Sequence, residues 1–412
     1  MKVLHVIPSV SEQSGGPAQA IFPMCRALIA RGHEVCIATT RHGLSGLNGN
    51  GNGAQLYNGT SIHFFPVQLG DGFKYSRPMK TWLEQNVRSF DLVHIHAVFN
   101  HSSIAAARAC RRHLVPYVVR PLGTLDPWSL KQKSVRKSLF WNLAAKRMMA
   151  DAATIHYTAQ AEFDRVKTSL GLTHGSVVPL GIGSNDSVLG PQAGTPAHVE
   201  PYQLIDRALM QRVGTLPRGQ AGTPAVPARR GPYILFLSRL HPKKGLDVLI
   251  KAFVAVQKHQ EFSEWRLVIA GDGDRAFVNS LKQLVSSNGA DGIVSFIGWI
   301  SGDDKRDVLR KASLLVLPSS QENFGLCVLE ALAEGVPVVV SPDVNLANDI
   351  ADAGAGWISA TDVVSLQKTI SEAMADEEQR FSRGLAGKVF SRNFSWESIA
   401  EELEKMYLAI IR

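Results

Sequence analysis

Leu314-Leu315-Val316-Leu317-Pro318-Ser319-Ser320-Gln321-Glu322-Asn323-Phe324-Gly325-Leu326-Cys327-Val328-Leu329-Glu330-Ala331 contains an apolar run, a break and a second apolar segment of different period. The run Leu314–Leu317 has the length and character of a strand buried on both faces, and Pro318 ends it. After a polar turn and Phe324-Gly325, the apolar positions follow helical spacing. The chain thus delivers Glu322 to the end of a strand and starts a helix just beyond it, with Glu330 two turns along. Free N–H groups and the dipole at a helix start favour an anion such as a phosphate. Two carboxylates flanking that anion site accept hydrogen bonds from hydroxyls. Phosphate and hydroxyls together describe a nucleotide sugar.

Working outward, strands read at Tyr233–Leu237, Leu267–Ala270, Ile293–Phe296 and Val338–Val340, with helices at Leu246–Gln257 and Gly302–Lys311. The first part of the chain alternates in the same way. Residues 3–7 read as a strand, Ser9–Pro17 as a Gly-containing loop, Ala18–Arg31 as a helix stopped by Gly32, and Val35–Thr39 as the next strand. Leu92–Ile95, Tyr117–Val119, Thr154–Tyr157 and Val177–Leu180 continue it, and Asn48–Asn58, rich in Gly and Asn, reads as a mobile loop. Strand–helix alternation predicts parallel sheets. Between Ser184 and Pro232 the character changes to Pro, Gly and Ala, and Ala-Gly-Thr-Pro-Ala occurs at 193–197 and again at 221–225. This segment reads as a linker or insertion, with Tyr202–Val213 as a short helix in it. The predicted fold is therefore α/β: two Rossmann-like, doubly wound domains, 1–183 and 233–395, facing across a cleft. An amphipathic helix, 396–412, ends the chain. Ligands in such sheets bind beyond the carboxyl ends of the strands.

The 412 residues are 45% hydrophobic and 19% charged, as in soluble globular proteins. No apolar run approaches the ~18–20 residues of a membrane span, and Met1–Pro8 reads as a first strand rather than a signal peptide. A cytoplasmic location is expected. Cys25, Cys36, Cys110 and Cys327 lack metal-site spacing, so they read as small buried hydrophobes and no metal is expected. Residues 1–183 carry 20 Lys/Arg against 9 Asp/Glu, while the rest carries 24 against 27. The basic half suggests an acidic partner (phospholipid headgroups, a lipid diphosphate or nucleic acid) or else ordinary solvated surface charge. Ser129–Met149 reads as a basic amphipathic helix, with Lys131, Lys133, Arg136, Lys137, Lys146 and Arg147 beside Leu139, Phe140, Trp141 and Leu143. Docking on an anionic membrane and an ordinary solvated face both fit it.

Arg239 and Lys244 follow the first strand of the second domain and are placed to clamp a diphosphate. Gly271-Asp272-Gly273-Asp274-Arg275-Ala276 superficially fits a dinucleotide fingerprint, but it follows a later strand and reads as a tight turn lining the cleft. Gly298 and Trp299 also leave a strand, where backbone could meet a nucleobase edge or the indole could simply pack. Gly15 and Gly16 lie between the first strand and its helix and let backbone amides approach a ligand, or else form a plain turn. His94 and His96 share one face of a strand; a strand histidine usually reads as a satisfied core residue, and His96, nearest the carboxyl edge, either does so or faces the cleft. Asp126, beyond another strand, is a candidate for acceptor hydroxyls or a turn residue.

Together these residues resemble the retaining glycosyltransferases of family 4, which have the GT-B fold. The resemblance rests on the Gly15-Gly16 loop, His94-Ile95-His96, the domain exit Val178-Pro179-Leu180-Gly181-Ile182, the Arg239/Lys244 pair and the Glu322/Glu330 segment. It implies that Glu322 binds donor-sugar hydroxyls and Glu330 the ribose hydroxyls. Phe324, Gly325 and Leu326, with Asn323, would offer backbone to the sugar or diphosphate, and Arg239 and Lys244 would stabilise the leaving group. His96 would stand near the donor sugar and the acceptor. The family generally needs no bound divalent cation, and its terminal helix packs back on the first domain. The expected partners are a nucleotide sugar and a glycan or lipid-diphosphate-linked acceptor, with no nucleic acid, in surface or exopolysaccharide synthesis. The 184–232 stretch is longer and richer in Pro and Gly than the family's usual link. A nucleotide-sugar epimerase or hydrolase of the same architecture remains open, as does a non-catalytic partner subunit; a dehydrogenase fits least.

Overall fold

The computed structural model describes residues 1–11, 14, 16–44, 54–70, 72–131, 134–183 and 231–411. Gly15, most of 184–232 and Arg412 lie outside the described residues.

Two sheets organise the chain. The first has eight strands: β1 (Lys2–Ile7), β2 (Glu34–Thr40), β3 (Gln55–Tyr57), β4 (Thr60–Phe65), β5 (Leu92–His96), β6 (Tyr117–Arg120), β7 (Thr154–Tyr157) and β8 (Ser176–Val177), in the order β3-β4-β2-β1-β5-β6-β7-β8. All pairings are parallel except β3 on β4. The second has six parallel strands: β9 (Tyr233–Leu237), β10 (Arg266–Ala270), β11 (Val294–Gly298), β12 (Leu314–Leu317), β13 (Val338–Val340) and β14 (Gly356–Ile358), in the order β11-β10-β9-β12-β13-β14. Both sheets reverse direction of winding at their first strand, between β1 and β5 and between β9 and β12. That reversal opens a crevice at the carboxyl edge, where doubly wound sheets take their ligands.

The strands read clearly because helices cover both faces. β9 and β12 are buried at every position, which leaves continuous apolar runs rather than alternation. In the first sheet, Val3, Ile7, Leu92 and Val118 face the helices Gly16–Ala30 and Trp396–Ile411. Leu4, Val6, Val93 and Val119 face Arg77–Asn86 and His101–His113. The terminal helix packs on the first domain, as the resemblance implies. Glu404 binds Arg31, and its other oxygen lies 2.9 Å from His33 Nε2.

The chain crosses between domains twice, and the crossings lie side by side. Ile182 donates its N–H to Phe394 O at 2.7 Å, and Gly181 sits so close to Trp396 that a side chain there would collide with the indole. Two local expectations need correction. The predicted loop 48–58 ends in β3, which pairs with the unrecognised β4; the alternating Thr-Ser-Ile-His-Phe-Phe of β4 concealed it. Val177–Leu180 is a strand only at Ser176–Val177, after which the chain turns toward the crossing. The basic segment is helical at Pro127–Lys131 and again from Ser134 to Ala150, through a wider turn at Trp141–Ala145.

Candidate active site

At the winding reversal of the second sheet, three loops interlock. The loop after β9 carries Arg239, Lys243 and Lys244; the loop after β12 carries Glu322; the loop after β13 supplies Asp343–Asn345. Ser320 donates its N–H to Lys243 O at 2.8 Å, Glu322 donates to Asp343 O at 3.1 Å, and Asn345 donates to Glu322 O at 3.2 Å. These bonds hold the carboxylate-bearing turn on its own domain before any ligand arrives. The helix Leu326–Ala333 then starts at Gly325.

The two glutamates are each paired with a lysine. Lys244, 6% exposed, forms an ion pair with Glu322. Lys305 Nζ lies 2.6 Å from Glu330 Oε1, and the second oxygen of Glu330 is buried without a partner. Such an acceptor is ready for a hydroxyl. Burial, then Lys244 beside it, pushes the Lys243 ammonium below its usual range, while Glu322 and Asp126 favour its charge. Arg239 is exposed and lies within electrostatic reach of Lys243 and His241.

The remaining expected residues of this domain line the same edge in different ways. Phe324 is 3% exposed and packs on Phe394 with ring centroids 6.0 Å apart, so only its backbone is available. Gly271 is a close-packing position: a side chain there would strike Ser238 O of the neighbouring loop. Its N–H binds Gly298 O at 2.7 Å, which ties two strand ends together. Trp299 beside them is 43% exposed and presents its ring to solvent. Asp272-Gly273-Asp274 has the spacing of a paired-carboxylate metal motif, yet its carboxylates serve the turn. Asp274 Oδ1 accepts from Ala276 N at 3.0 Å and Phe277 N at 3.2 Å, capping the helix Arg275–Ser287.

The first domain meets this edge closely. A Cβ on Gly16, at the start of the helix Gly16–Ala30, would lie 3.3 Å from Leu326 Cδ1. The starts of the helices Gly16–Ala30 and Leu326–Ala333 thus lie close together, and a helix start favours an anion. Asn323 Nδ2 donates to Thr158 Oγ1 across the cleft at 3.0 Å. Asp126, 9% exposed, is paired with Arg165 Nε at 2.9 Å, and Arg165 also reaches Asn345 of the second domain. Asp126 thus braces an interdomain contact instead of opening freely toward an acceptor.

His96 also departs from expectation. Period-two geometry places His5, His94, His96, Arg120 and His156 on one face of the first sheet, with His5 beside His94 and His96 beside Arg120 in register. His96 is 1% exposed, and its Nε2 lies 3.0 Å from His5 Nδ1. It stands at the strand end nearest the cleft but its ring is sealed. Val178 O, which only accepts, takes the Nε2 proton of His156 at 2.7 Å; His156 Nδ1 then accepts from His94 Nε2 at 3.2 Å. His94 Nδ1 is left to accept from the Tyr407 hydroxyl at 2.7 Å. The imidazoles of His5, His94, His96 and His156 are neutral. Burial is the main cause, holding His5 and His156 down to about 3 and His94 and His96 well below 6.5. Arg120 is equally buried and is lowered by burial to about 10. His5, His94 and His96 are the one group of three potential metal ligands lying together among the described residues. A dication there would have to displace hydrogen bonds of His94 and tolerate the Arg120 charge. Ala97 (φ +73°) and Leu122 (φ +58°), just after β5 and β6, hold left-handed conformations at the cleft edge.

Sequence reasoning did not find Lys305, Asn345, Thr158, Glu162, Arg165, His5, His156 or Tyr407. His5 and His156 had a signal, a polar residue in an apolar strand; a lysine on a polar helix has none.

Two family models match the chain. The glycosyl transferase 4-like domain covers residues 15–183 and the glycosyl transferases group 1 domain covers 225–390. An uncharacterized glycosyltransferase of Methanocaldococcus jannaschii is 33% identical over 177 residues, 42% of this chain and 44% of that protein. Mannosylfructose-phosphate synthase of Agrobacterium fabrum is 32% identical over 180 residues, 42% of this chain and 39% of that one. These matches span less than half the length of the relatives. Among solved structures, sucrose-phosphate synthase from Thermosynechococcus elongatus superposes with a TM-score of 0.73 at 17% identity, covering 99% of this chain and 98% of that one. Anabaena HepE in complex with UDP and glucose gives 0.71 at 17% identity, covering 99% and 100%. The fold is thus the two-domain α/β architecture of these enzymes, and the chain belongs to the group 1, family 4-like glycosyltransferases.

Proposed function

We propose that this glycosyltransferase moves a hexosyl group, with retention at the anomeric carbon, from a nucleoside diphosphate to a glycan or lipid-linked glycan of a surface polysaccharide. The observation that carries this reading is the Lys244–Glu322 pair at the winding reversal, joining the loop that carries Arg239 to the turn that leads into the helix Leu326–Ala333. Solved neighbours that bind UDP and UDP-glucose support the donor class.

In this reading Arg239 and Lys244 receive the diphosphate, with the amides of Asn323–Leu326 and the helix start at Gly16 around it. Glu322, released from part of its bond to Lys244, accepts from donor-sugar hydroxyls. The open oxygen of Glu330 accepts from the ribose, and Trp299 with the Gly271 and Gly298 backbone borders the base. The C1–O bond to the diphosphate breaks, the acceptor oxygen bonds C1 on the same face, and its proton passes to the departing phosphate oxygen. Fixed cations and helix amides stabilise charge growing on that oxygen; one such donor is commonly worth about 2.7–4 kcal/mol. Neither a side-chain nucleophile nor a divalent cation takes part. His96 acts from beneath the surface, supporting the strand end. Asp126, with Arg165, braces the first domain against Asn345.

A thermal-shift panel of UDP-, GDP- and ADP-sugars identifies the donor, since a ligand at ~100-fold its dissociation constant adds about 2.7 kcal/mol. Glu322→Ala and Lys244→Ala are each expected to abolish transfer in a folded protein; near wild-type turnover in either would sink the assignment. Consumption of donor without acceptor would point to an epimerase or hydrolase. No helix among the described residues is long and apolar enough to cross a membrane. Leu139 and Leu143 are 62% and 72% exposed on the helical segment that also carries Lys146 and Arg147, which supports peripheral docking on anionic lipid. Failure to sediment with anionic vesicles would remove that part.

A further inference from the structure

We propose that Glu162 and Thr158 form a positioning relay through which the first domain sets the Glu322 turn of the second. The inference rests on the reading of Glu322 as a donor-sugar ligand. Glu162 is 3% exposed on the first turn of the helix Gln160–Leu170. A buried carboxylate needs several donors, and this one takes three from two strand ends. Gly123 N, beyond β6, donates to one oxygen at 2.9 Å; Thr158 N at 2.8 Å and Thr158 Oγ1 at 2.9 Å, beyond β7, donate to the other.

Both tied loops converge on one residue across the cleft. The Thr158 hydroxyl, having given its proton to Glu162, accepts from Asn323 Nδ2 at 3.0 Å. Hydrogen bonds in such a chain polarise one another and strengthen together. Gly123 lies so near that a Cβ there would sit 2.9 Å from Asn323 Cβ. On its own side Asn323 is gripped by Asn345, whose Nδ2 donates to Asn323 O at 2.6 Å. Asn345 is in turn held by Arg165, paired with Asp126.

Asn323 adjoins Glu322, so the domains touch at the carboxylate turn itself. The first-domain half of the relay is complete without its partner, because Glu162 binds Thr158 and Gly123 within that domain. Closure therefore presents a preset acceptor to Asn323 and adds a first-domain bond to a turn that its own domain already holds. Glu162 and Thr158 touch neither donor nor acceptor; they act through Asn323.

Thr158→Val removes the hydroxyl at constant shape, and Thr158→Ser restores it. The valine variant is expected to bind UDP within about twofold of the parent by calorimetry but to lose about tenfold in kcat, the scale of one hydrogen bond. Serine should return kcat to within about twofold. Without any ligand, small-angle scattering should show the valine variant more extended than the parent, and serine restored. Gly123→Ala probes the other loop with Thr158 intact and should also extend the molecule, which keeps the test alive if the valine variant does not fold. Unchanged turnover and unchanged scattering in Thr158→Val and Gly123→Ala would overturn the relay. So would a serine variant as impaired as valine, which would indicate packing alone. If the parent protein transfers no sugar, the functional reading fails instead, and ligand-free scattering still decides the relay.

Discussion

The two sheets share one winding, yet the polar groups they carry differ in charge and exposure. At the first, His5, His94, His96, His156 and Arg120 lie buried beneath the terminal helix, neutral except for one guanidinium. At the second, Lys244–Glu322 and Lys305–Glu330 stand partly open beside an exposed Arg239. Topology alone supplies a crevice in both. What lies near it differs: one face of the first sheet is filled by its own hydrogen-bonded side chains and Tyr407, while the second keeps charges that a ligand can recruit. The first crevice should therefore govern stability and the second should govern binding.

The largest effect expected from this contrast is acid sensitivity. The four histidines of this cluster titrate below their ordinary 6.5, to about 3 for His5 and His156. Above pH 6.5 they are neutral whether folded or not, and their contribution is fully present. As pH falls below 6.5 the unfolded chain takes up protons that the fold refuses. Each histidine then costs about 1.4 kcal/mol of stability per pH unit. Four together amount to about 5–6 kcal/mol per unit, enough to unfold an ordinary domain near pH 5. Urea midpoints measured from pH 7.5 to 5 check this. A flat profile would mean that the histidines are accessible to protons in the folded state.

A smaller effect separates the crevices more sharply. Tyr407→Phe leaves His94 Nδ1 as a buried acceptor without its donor, which should cost about 1–3 kcal/mol. The Glu404 contacts with Arg31 and His33 still hold the helix, so the variant should fold. Calorimetry should show a lower melting temperature with UDP affinity unchanged. A loss of affinity without a loss of stability would reverse the roles assigned to the two sheets.

The fold was legible because its strands are apolar on both faces. Runs such as Leu314–Leu317 cannot be solvated, and the helices Gly302–Lys311 and Trp396–Ile411 lie where their periodicity places them. β4 was hidden because Thr60, Ser61 and His63 interrupt its hydrophobicity. The candidate site was legible where chemistry is local: Glu322, Glu330, Arg239 and Lys244 all sit at the ends of readable strands or on the helix beyond one. Thr158–Asn323 joins residues 165 apart in sequence, and Lys305–Glu330 links two helices through ordinary surface residue types. Pairings of that kind depend on how elements meet in space, which no local pattern encodes. His96 shows the converse: period two placed it on a shared face correctly, but only the packed terminal helix decides that the face is sealed.

The smallest expected change in stability lies at Glu330. Its bond to Lys305 joins side chains that are 29% and 21% exposed, and ion pairs with that access to solvent are worth about 0–1 kcal/mol. Glu330→Gln should therefore melt within a few degrees of the parent. Its effect should appear in binding. The free carboxylate oxygen, buried and unpartnered, becomes half of an amide, and replacing a charged acceptor for hydroxyls should weaken UDP binding about tenfold, or about 1.4 kcal/mol. A deoxyribose nucleotide distinguishes causes: if Glu330 meets the ribose, removing the sugar hydroxyl should weaken the parent and scarcely affect the variant. Equal losses in both proteins would assign Glu330 to holding its helix against Lys305. The second crevice would then be as self-contained as the first at that point, leaving only Lys244–Glu322 and Arg239 to set it apart.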